Sequence, residues 1–163
     1  MEGFADTQFL TFLLDGETYA VPVGKVREVL EYTKPTKLPK TLPYMKGVIN
    51  VRGTGVPVID LREKFDMLEL QVTKDTAIII MEISDAEGQQ QLIGALTDQV
   101  NEVMEIDSDQ LEPPPRFGSK VETSFIHSVG KRENSFIIVL DLDKAFSHQE
   151  FNVITGIPDP TTA

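Results

Sequence analysis

Two stretches of this chain occur twice in the same order, and this repeat limits the folds that the chain can adopt. Residues 26–32, Val-Arg-Glu-Val-Leu-Glu-Tyr, correspond to residues 100–106, Val-Asn-Glu-Val-Met-Glu-Ile, and residues 58–65 correspond to residues 139–146. Each half reads as a hairpin, a Val-x-Glu-Val unit, a proline-containing loop, a second hairpin and an Asp-Leu turn. Such a half holds about five short strands, which close most easily into a small barrel without free sheet edges. Two barrels of about 65 residues would be marginal alone, so we expect them to share one hydrophobic core.

The hydrophobic pattern therefore predicts one mainly β domain over residues 1–163. The first barrel is predicted at residues 18–75 and the second at residues 76–146, and the N-terminal strand at residues 8–14 could join either. We expect a short helical turn at residues 23–26, running into a strand, and a short helix at residues 141–151. Residues 147–163 are predicted to form a C-terminal segment and tail.

The apolar stretch at residues 47–61 is predicted to form a hairpin with an arginine at its tip. Its strands are predicted at residues 48–52 and 56–61, joined by a turn through Gly53-Thr54-Gly55, because paired glycines supply the positive φ that hairpin turns need. Pro57 cannot donate a ladder hydrogen bond, which predicts an edge or a bulge at that position. Arg52 is either a solvated charge or a functional residue, and the hairpin alone does not decide between them.

Charge and composition exclude several classes of function. The net charge is −11, whereas nucleic-acid binding needs a basic stripe. Residues 33–65 nevertheless carry seven positive and two negative side chains, which suggests either an oriented protein contact or a solvated lysine face. The chain has no cysteine, its acidic start lacks the basic residues of a signal peptide, and no apolar run reaches the roughly 20 residues of a membrane helix. These features favour a soluble intracellular protein.

The sequence contains no recognisable catalytic or metal-binding motif. It lacks a phosphate-binding loop, a dinucleotide fingerprint and the usual hydrolase and zinc-protease signatures. His127 is expected in or beside a strand and His148 at a helix end, too far apart in sequence for metal-ligand spacing. Asp141 is expected to start a helix, and Asp60 to cap the turn that follows its strand. We therefore predict no catalytic, cofactor-binding or metal-binding residues, and no enzyme activity.

Three motifs carry a resemblance to a known family. They are the Val-Arg-Glu-Val unit, the run Tyr-Met-Lys-Gly-Val-Ile-Asn-Val-Arg-Gly and the run Val-Pro-Val-Ile-Asp-Leu-Arg-Glu-Lys-Phe. Together with the second-half segment Ala-Leu-Thr-Asp-Gln-Val-Asn-Glu-Val, they resemble the CheW-like domain family of chemotaxis coupling proteins over about residues 8–146. The resemblance implies two SH3-like five-stranded barrels around a shared core, with short helices and a C-terminal helix. It also implies a non-catalytic adaptor without cofactors.

The family's partners would be the cytoplasmic tips of chemoreceptors and the histidine kinase CheA, which it would meet through the kinase's homologous C-terminal domain. The resemblance thus implies a cytoplasmic protein recruited to membrane-associated receptor arrays, with no membrane insertion and no nucleic acid. Val26, Glu28 and Arg52 fall where the family contacts receptor or kinase, and a Glu28–Arg52 ion pair would account for the arginine at the hairpin tip. Gln99 and Val100 occupy the matching place in the second half.

A second hypothesis of a different class remains open at the level of sequence. The cavity between the two barrels could bind a small ligand, which would make the chain a sensing domain. A set of polar residues clustered in that cavity would favour this alternative. The sequence shows no such cluster, which favours the adaptor.

Overall fold

The computed structural model describes residues 7–39, 41–85, 87–114 and 124–156, which form a mainly β protein. Its strands are β1 (Gln8–Leu14), β2 (Glu17–Pro22), β3 (Val26–Glu31), β4 (Met45–Val51), β5 (Thr54–Asp60), β6 (Ala77–Ser84), β7 (Gln90–Thr97), β8 (Gln99–Glu105), β9 (Leu111–Glu112), β10 (Ile126–Arg132) and β11 (Ser135–Leu140). Its helices are α1 (Leu61–Lys64) and α2 (His148–Thr155), with 3₁₀ turns at Val23–Lys25, Ser108–Gln110 and Leu142–Lys144. Within the described ranges, no helix is long and apolar enough to cross a bilayer.

The strands form two sheets that share one internal order. The first sheet runs β3-β6-β7-β5-β4 and the second runs β8-β1-β2-β11-β10-β9. In each sheet two antiparallel hairpins meet along a parallel pair, which is β5 with β7 in the first sheet and β2 with β11 in the second. Each sheet makes a small SH3-like barrel, so the predicted fold class is confirmed, including the short helices and the C-terminal helix.

The hairpin that completes each barrel comes from the other half of the repeat. β1 and β2 join β8, β10 and β11 in the second barrel, whereas β6 and β7 join β3, β4 and β5 in the first. The strand pairing therefore does not follow the predicted division into residues 18–75 and 76–146, and the strand at residues 8–14 belongs to the second barrel. Hairpins form between sequence neighbours in either arrangement. The pairs between distant residues decide which hairpins share a barrel: the two parallel pairs, and the antiparallel pairs of β3 with β6 and of β1 with β8.

Side chains on the two faces of the sheets form separate clusters. On β6, Ile78 and Ile80 lie inside the first barrel, whereas Ile79, Met81 and Ile83 lie in a central cluster between the barrels. This alternation is the period of a strand that is buried on both faces. The second barrel has its own interior cluster of Phe9, Ala20, Ile106, Ile137 and Val139.

The central cluster takes side chains from both barrels and from α2. Its second-barrel members include Leu10, Phe12 and Leu14 from β1, all of them buried. α2 adds Phe151 and Ile154, which are also buried. The shared hydrophobic core predicted from the repeat is therefore present.

Two ion pairs stabilise the junction of the barrels, and their positions in the repeat agree to within one residue. Arg62 Nη1 lies 3.1 Å from Asp98 Oδ2, and Lys25 Nζ lies 2.9 Å from Asp143 Oδ2. Asp98 also accepts the backbone N–H of the β1–β2 turn at 2.7 Å, and Asp143 accepts that of the last residue of β6 at 2.8 Å. Asp143 is the repeat counterpart of Arg62, and Asp98 lies one residue before Gln99, the counterpart of Lys25, so the two junctions are similar with the charges exchanged.

The C-terminal region differs from the single helix predicted at residues 141–151. Asp141 caps the 3₁₀ turn Leu142–Lys144, as expected for a helix start, but α2 begins only after Ser147. The Ser147 hydroxyl accepts the Glu150 N–H at 3.1 Å, and the Glu150 carboxylate accepts the Ser147 N–H at 2.8 Å. This capping box starts a new helix there. Residues 157–163 of the predicted tail and the last proline of the run at 113–115 lie outside the described residues.

The Glu150 side chain connects α2 to residues in the first half of the chain. It accepts a hydrogen bond from the Tyr44 hydroxyl and lies 3.4 Å from Lys64 Nζ. Burial raises the pKa of Glu150, but the hydrogen bonds from Ser147 and Tyr44 and the nearby Lys64 lower it further, so the net pKa lies below the ordinary value. Burial and the Glu150 carboxylate raise the pKa of Tyr44. Folding therefore favours the ionised carboxylate.

We predict that Glu150→Gln destabilises the protein by about 1 kcal/mol at neutral pH, because the amide keeps a cap acceptor but loses the charge-assisted contacts. The folded pKa of Glu150 lies below its ordinary 4.5, so the contribution is complete above pH 4.5 and is lost as the pH falls through the folded pKa. Denaturant unfolding at several pH values would measure this.

The matched control is Glu31→Gln, since the Glu31 side chain has no ion pair or side-chain hydrogen bond within the described residues. We expect this variant to follow the parent protein at every pH. A Glu150→Gln deficit that stays constant as the pH falls would show that the carboxylate charge does not stabilise the fold.

Candidate partner-binding surface

Arg52 lies in a two-residue turn between β4 and β5. The turn is Arg52-Gly53 and not the predicted Gly53-Thr54-Gly55, because Val51 already pairs with Thr54 across the hairpin. Arg52 and Gly53 have φ values of 53° and 85°, and two-residue hairpin turns of this kind need positive φ at both positions. The Asn50 side chain accepts the Gly53 N–H at 2.7 Å and holds the turn. The turn therefore places the arginine at the end of the first barrel.

The predicted ion pair between Glu28 and Arg52 is present. Arg52 Nη1 lies 2.5 Å from Glu28 Oε2, and Nη2 lies 3.3 Å from Oε1, so the contact is two-pronged. The Arg52 side chain is 79 % exposed and that of Glu28 is 23 % exposed. Glu28 lies on β3, one edge of the sheet, and Arg52 follows β4, the other edge. The pair thus joins the two edges of the first sheet at one end of its barrel.

The second barrel carries a looser version of this pair. Arg132 Nη1 lies 3.5 Å from Glu102 Oε2, and these side chains are 50 % and 59 % exposed. Glu102 is the repeat counterpart of Glu28. Arg132 is the last residue of β10 and pairs with Ser135, so it matches Val51 in register and not Arg52. Sequence analysis missed Arg132 because its position is shifted by one residue within the repeat.

Val26 and Val100 are half-buried, and both pack against the central cluster. The structure thus brings these two predicted site residues to one core, although they lie in different barrels. Gln99 is exposed, and its side chain donates to Asn101 of the same strand at 3.2 Å. None of its contacts in the described part of the chain joins Gln99 to the other four predicted residues.

Two further valines are exposed on the same two edge strands, one in each barrel. Val29 is 43 % exposed on β3, and Val103 is 54 % exposed on β8. Each edge strand contains a bulge, after Val26 in β3 and after Val100 in β8. Side chains three positions apart on a regular strand point to opposite faces. Because the bulge inserts one extra residue, Val29 lies on the same face as Val26, and Val103 lies on the same face as Val100.

The partners across the strand pairs confirm this placement. Val26 and Val29 pair with Met81 and Ile79, which both belong to the central cluster, and Val100 and Val103 pair with two other members of it, Phe12 and Leu10. We call these four residues the valine surface. The repeat itself was the signal for Val29 and Val103, but strict alternation would have placed them on the opposite face.

Three carboxylates near α1 have spacing suited to a cation. Oxygen atoms of Asp60, Glu63 and Glu69 lie within 4.8 Å of one another. Lys46 Nζ pairs with both glutamates, at 2.7 Å from Glu69, and Asp60 caps α1 through the backbone N–H groups of Arg62 and Glu63. The chain thus supplies its own cation, and the cap predicted for Asp60 is confirmed.

Comparison with known proteins places the chain beside chemotaxis scaffolds. The family model for the CheW-like domain matches residues 8–150. The chemotaxis protein CheW of Bacillus subtilis is 30 % identical over 152 residues, covering 93 % of both chains, and that of Klebsiella aerogenes is 29 % identical over 150 residues, covering 92 % of this chain and 87 % of the relative. The crystal structure of the scaffolding protein TtCheW from Thermoanaerobacter tengcongensis superposes with a TM-score of 0.76 at 32 % identity, covering 89 % of this chain and 95 % of that one.

We predict that Arg52→Glu changes the free energy of unfolding by no more than about 1 kcal/mol, since exposed ion pairs contribute about 0–1 kcal/mol. The turn itself accepts a glutamate, because Glu133, the repeat counterpart of Arg52, has a φ of 52°. Denaturant unfolding would measure the difference, with Arg132→Glu as the matched variant in the second barrel. A loss several times larger would identify Arg52 as a structural residue.

Proposed function

This chain belongs to the CheW-like domain family, and we propose that it is a non-catalytic adaptor that couples the cytoplasmic tips of chemoreceptors to the chemotaxis histidine kinase CheA. In this role it contacts the kinase's homologous C-terminal domain and resides in the cytoplasm, at membrane-associated receptor arrays. The observation that carries the proposal is the valine surface: two exposed apolar edges, one from each barrel, that are built on one shared core.

The valine surface suits an amphipathic helix, the form expected of a receptor tip from the family. Helix-in-groove recognition needs apolar anchors flanked by charges. Val26 and Val100 supply anchors that the core holds in place, and Val29 and Val103 supply exposed apolar area. The Glu28–Arg52 pair supplies charge at one side.

The barrel ends suit the kinase, whose homologous domain presents similar ends. The end of the second barrel exposes Phe136 to 56 %, near the Arg132–Glu102 pair, and so combines an aromatic anchor with charges. Aromatic and arginine side chains often dominate the energetics of interfaces between proteins. The kinase surface of an adaptor must be separate from its receptor surface, because a single shared patch would make the two partners compete.

The alternative of a ligand sensor built on the cavity between the barrels has little structural support. The cavity lined by Val21 and Met81, from the two barrels, has a volume of about 10 Å³. This is room for about one water molecule. A metabolite would need a site far larger.

We predict that Val26→Asp weakens binding of a receptor-tip fragment by more than about tenfold, equivalent to about 1.4 kcal/mol, while binding of the isolated kinase domain stays within a few-fold. The reason is that a carboxylate placed among apolar anchors must lose its water. Each affinity would be measured separately by titration calorimetry. Because Val26 packs on the core, the more exposed Val103→Asp serves as a second test with less risk to folding.

Val72→Asp is the matched control, since Val72 is 53 % exposed on the segment that follows α1. It should bind both partners as the parent does. Loss of both partners in folded Val26→Asp and Val103→Asp would contradict the assignment of the valine surface to the receptor.

We also expect Arg52→Glu to reduce receptor-dependent activation of the kinase, because reversal sets a like charge beside Glu28 and repels a partner matched to the arginine. Autophosphorylation of the kinase in reconstituted receptor complexes would report the loss. Lys74→Glu is the control reversal, at an exposed lysine in the connection between α1 and β6. Equal activation by Arg52→Glu and Lys74→Glu would exclude a role for Arg52 in coupling.

A further inference from the structure

A pocket of about 160 Å³ opens at the end of the first barrel opposite the Arg52 turn. Its walls come from residues 32–37, which follow β3, and from the start of β4, the end of β5 and the segment after α1. Leu70 and Leu96 contribute an apolar floor, and both are buried members of the barrel's interior cluster. Three lysines, Lys34, Lys37 and Lys46, also line it.

Some charged groups of the pocket form ion pairs or hydrogen bonds within the protein, whereas others form no ion pair in the described part of the chain. Lys46 pairs with Glu63 and Glu69, and the Asp60 carboxylate accepts three backbone N–H groups, one of them from Leu70 at 2.9 Å. These acidic groups therefore already have partners. Lys34 and Lys37 line the same pocket and form no ion pair with any residue in the described ranges. The hydrogen bond from Lys46 lowers the pKa of Glu69, and Lys37 lowers it further through space but forms no ion pair with it, so both lysines of the loop can still contact a ligand.

The loop that carries these two lysines is fixed to β4. Thr36 and Val48 exchange two backbone hydrogen bonds of 2.9 Å each, and Pro35 is buried. Gly47 has a φ of 139°, and a Cβ at this position would lie 2.2 Å from the Thr36 carbonyl oxygen. Only glycine allows this approach of loop and strand. Lys34 and Lys37, on either side of the anchored pair Pro35-Thr36, are therefore attached to a rigid base.

We propose that this pocket binds a small monocarboxylate with a compact apolar body. The carboxylate lies between Lys34 and Lys37, and the apolar body covers Leu70 and Leu96. The volume of about 160 Å³ is below the roughly 300 Å³ at which pockets for drug-sized ligands begin, which restricts the ligand to a few heavy atoms. A second carboxylate would approach Asp60 and Glu69, so dicarboxylates are disfavoured. The site is separate from the valine surface and does not depend on the proposed adaptor role.

Titration of the full chain with isovalerate and with benzoate, followed by amide NMR, tests the proposal. Saturable shifts are expected at the pocket residues Tyr32, Lys34, Lys37, Lys46, Leu70 and Val72. The double variant Lys34→Gln/Lys37→Gln should weaken binding by about tenfold or more, because both cations contact the carboxylate. Isovaleramide and benzamide, which have the same shape without the charge, should give no saturable shifts.

Arg52→Gln is the control, since it removes a cation from the opposite end of the same barrel and should leave the affinity unchanged. Unchanged affinity in the double lysine variant, equal binding of the amides, or shifts centred elsewhere would overturn the proposal. So would the absence of saturable shifts with both acids, or shifts produced only by an acidic peptide.

Discussion

The parallel pairing of strands from opposite halves of the repeat is the constraint on which the rest of the structure depends. β2 pairs with β11 and β5 pairs with β7, so each barrel is completed by a hairpin that the other half supplies. Neither half can finish its sheet alone. The outer faces of the exchanged hairpins meet between the barrels and become the central cluster. Because the same strands complete one barrel with one face and pack against the other barrel with the opposite face, we infer that the two barrels unfold as one unit.

The exchange also determines where the functional features lie. It leaves β3 and β8 as the edge strands of their sheets, and each contains a bulge at the same place in the repeat. The valine surface is therefore attached to the central cluster, whereas Phe136 is exposed on β11 of the second barrel. Because these positions are fixed relative to one another by a continuous core, two proteins bound at the two places would be held at a set distance. The proposed adaptor role requires that rigidity more than tight binding at either surface.

Local patterns in the sequence were sufficient to predict most of the strands, and also the two barrels around one shared core. These signals do not predict the exchange of hairpins. The alternation of apolar residues specifies which face of a strand is buried, but it does not specify which strands lie beside it. The Arg52 turn was predicted too far along the chain, since glycines were used as the cue and the arginine itself adopts positive φ. Val29 and Val103 were missed because a bulge changes the face of each following residue. The Glu28–Arg52 pair, which is present, was predicted from the family resemblance and not from the local pattern.

An adaptor of the proposed kind holds receptor and kinase on different surfaces at the same time. Sedimentation velocity on a mixture of the chain, a receptor-tip fragment and the isolated homologous domain of the kinase tests it most directly. We expect one faster boundary that contains all three components, with neither partner lowering the bound fraction of the other. Displacement of the kinase domain as the receptor fragment is added, with only two-component complexes at every ratio, would contradict it.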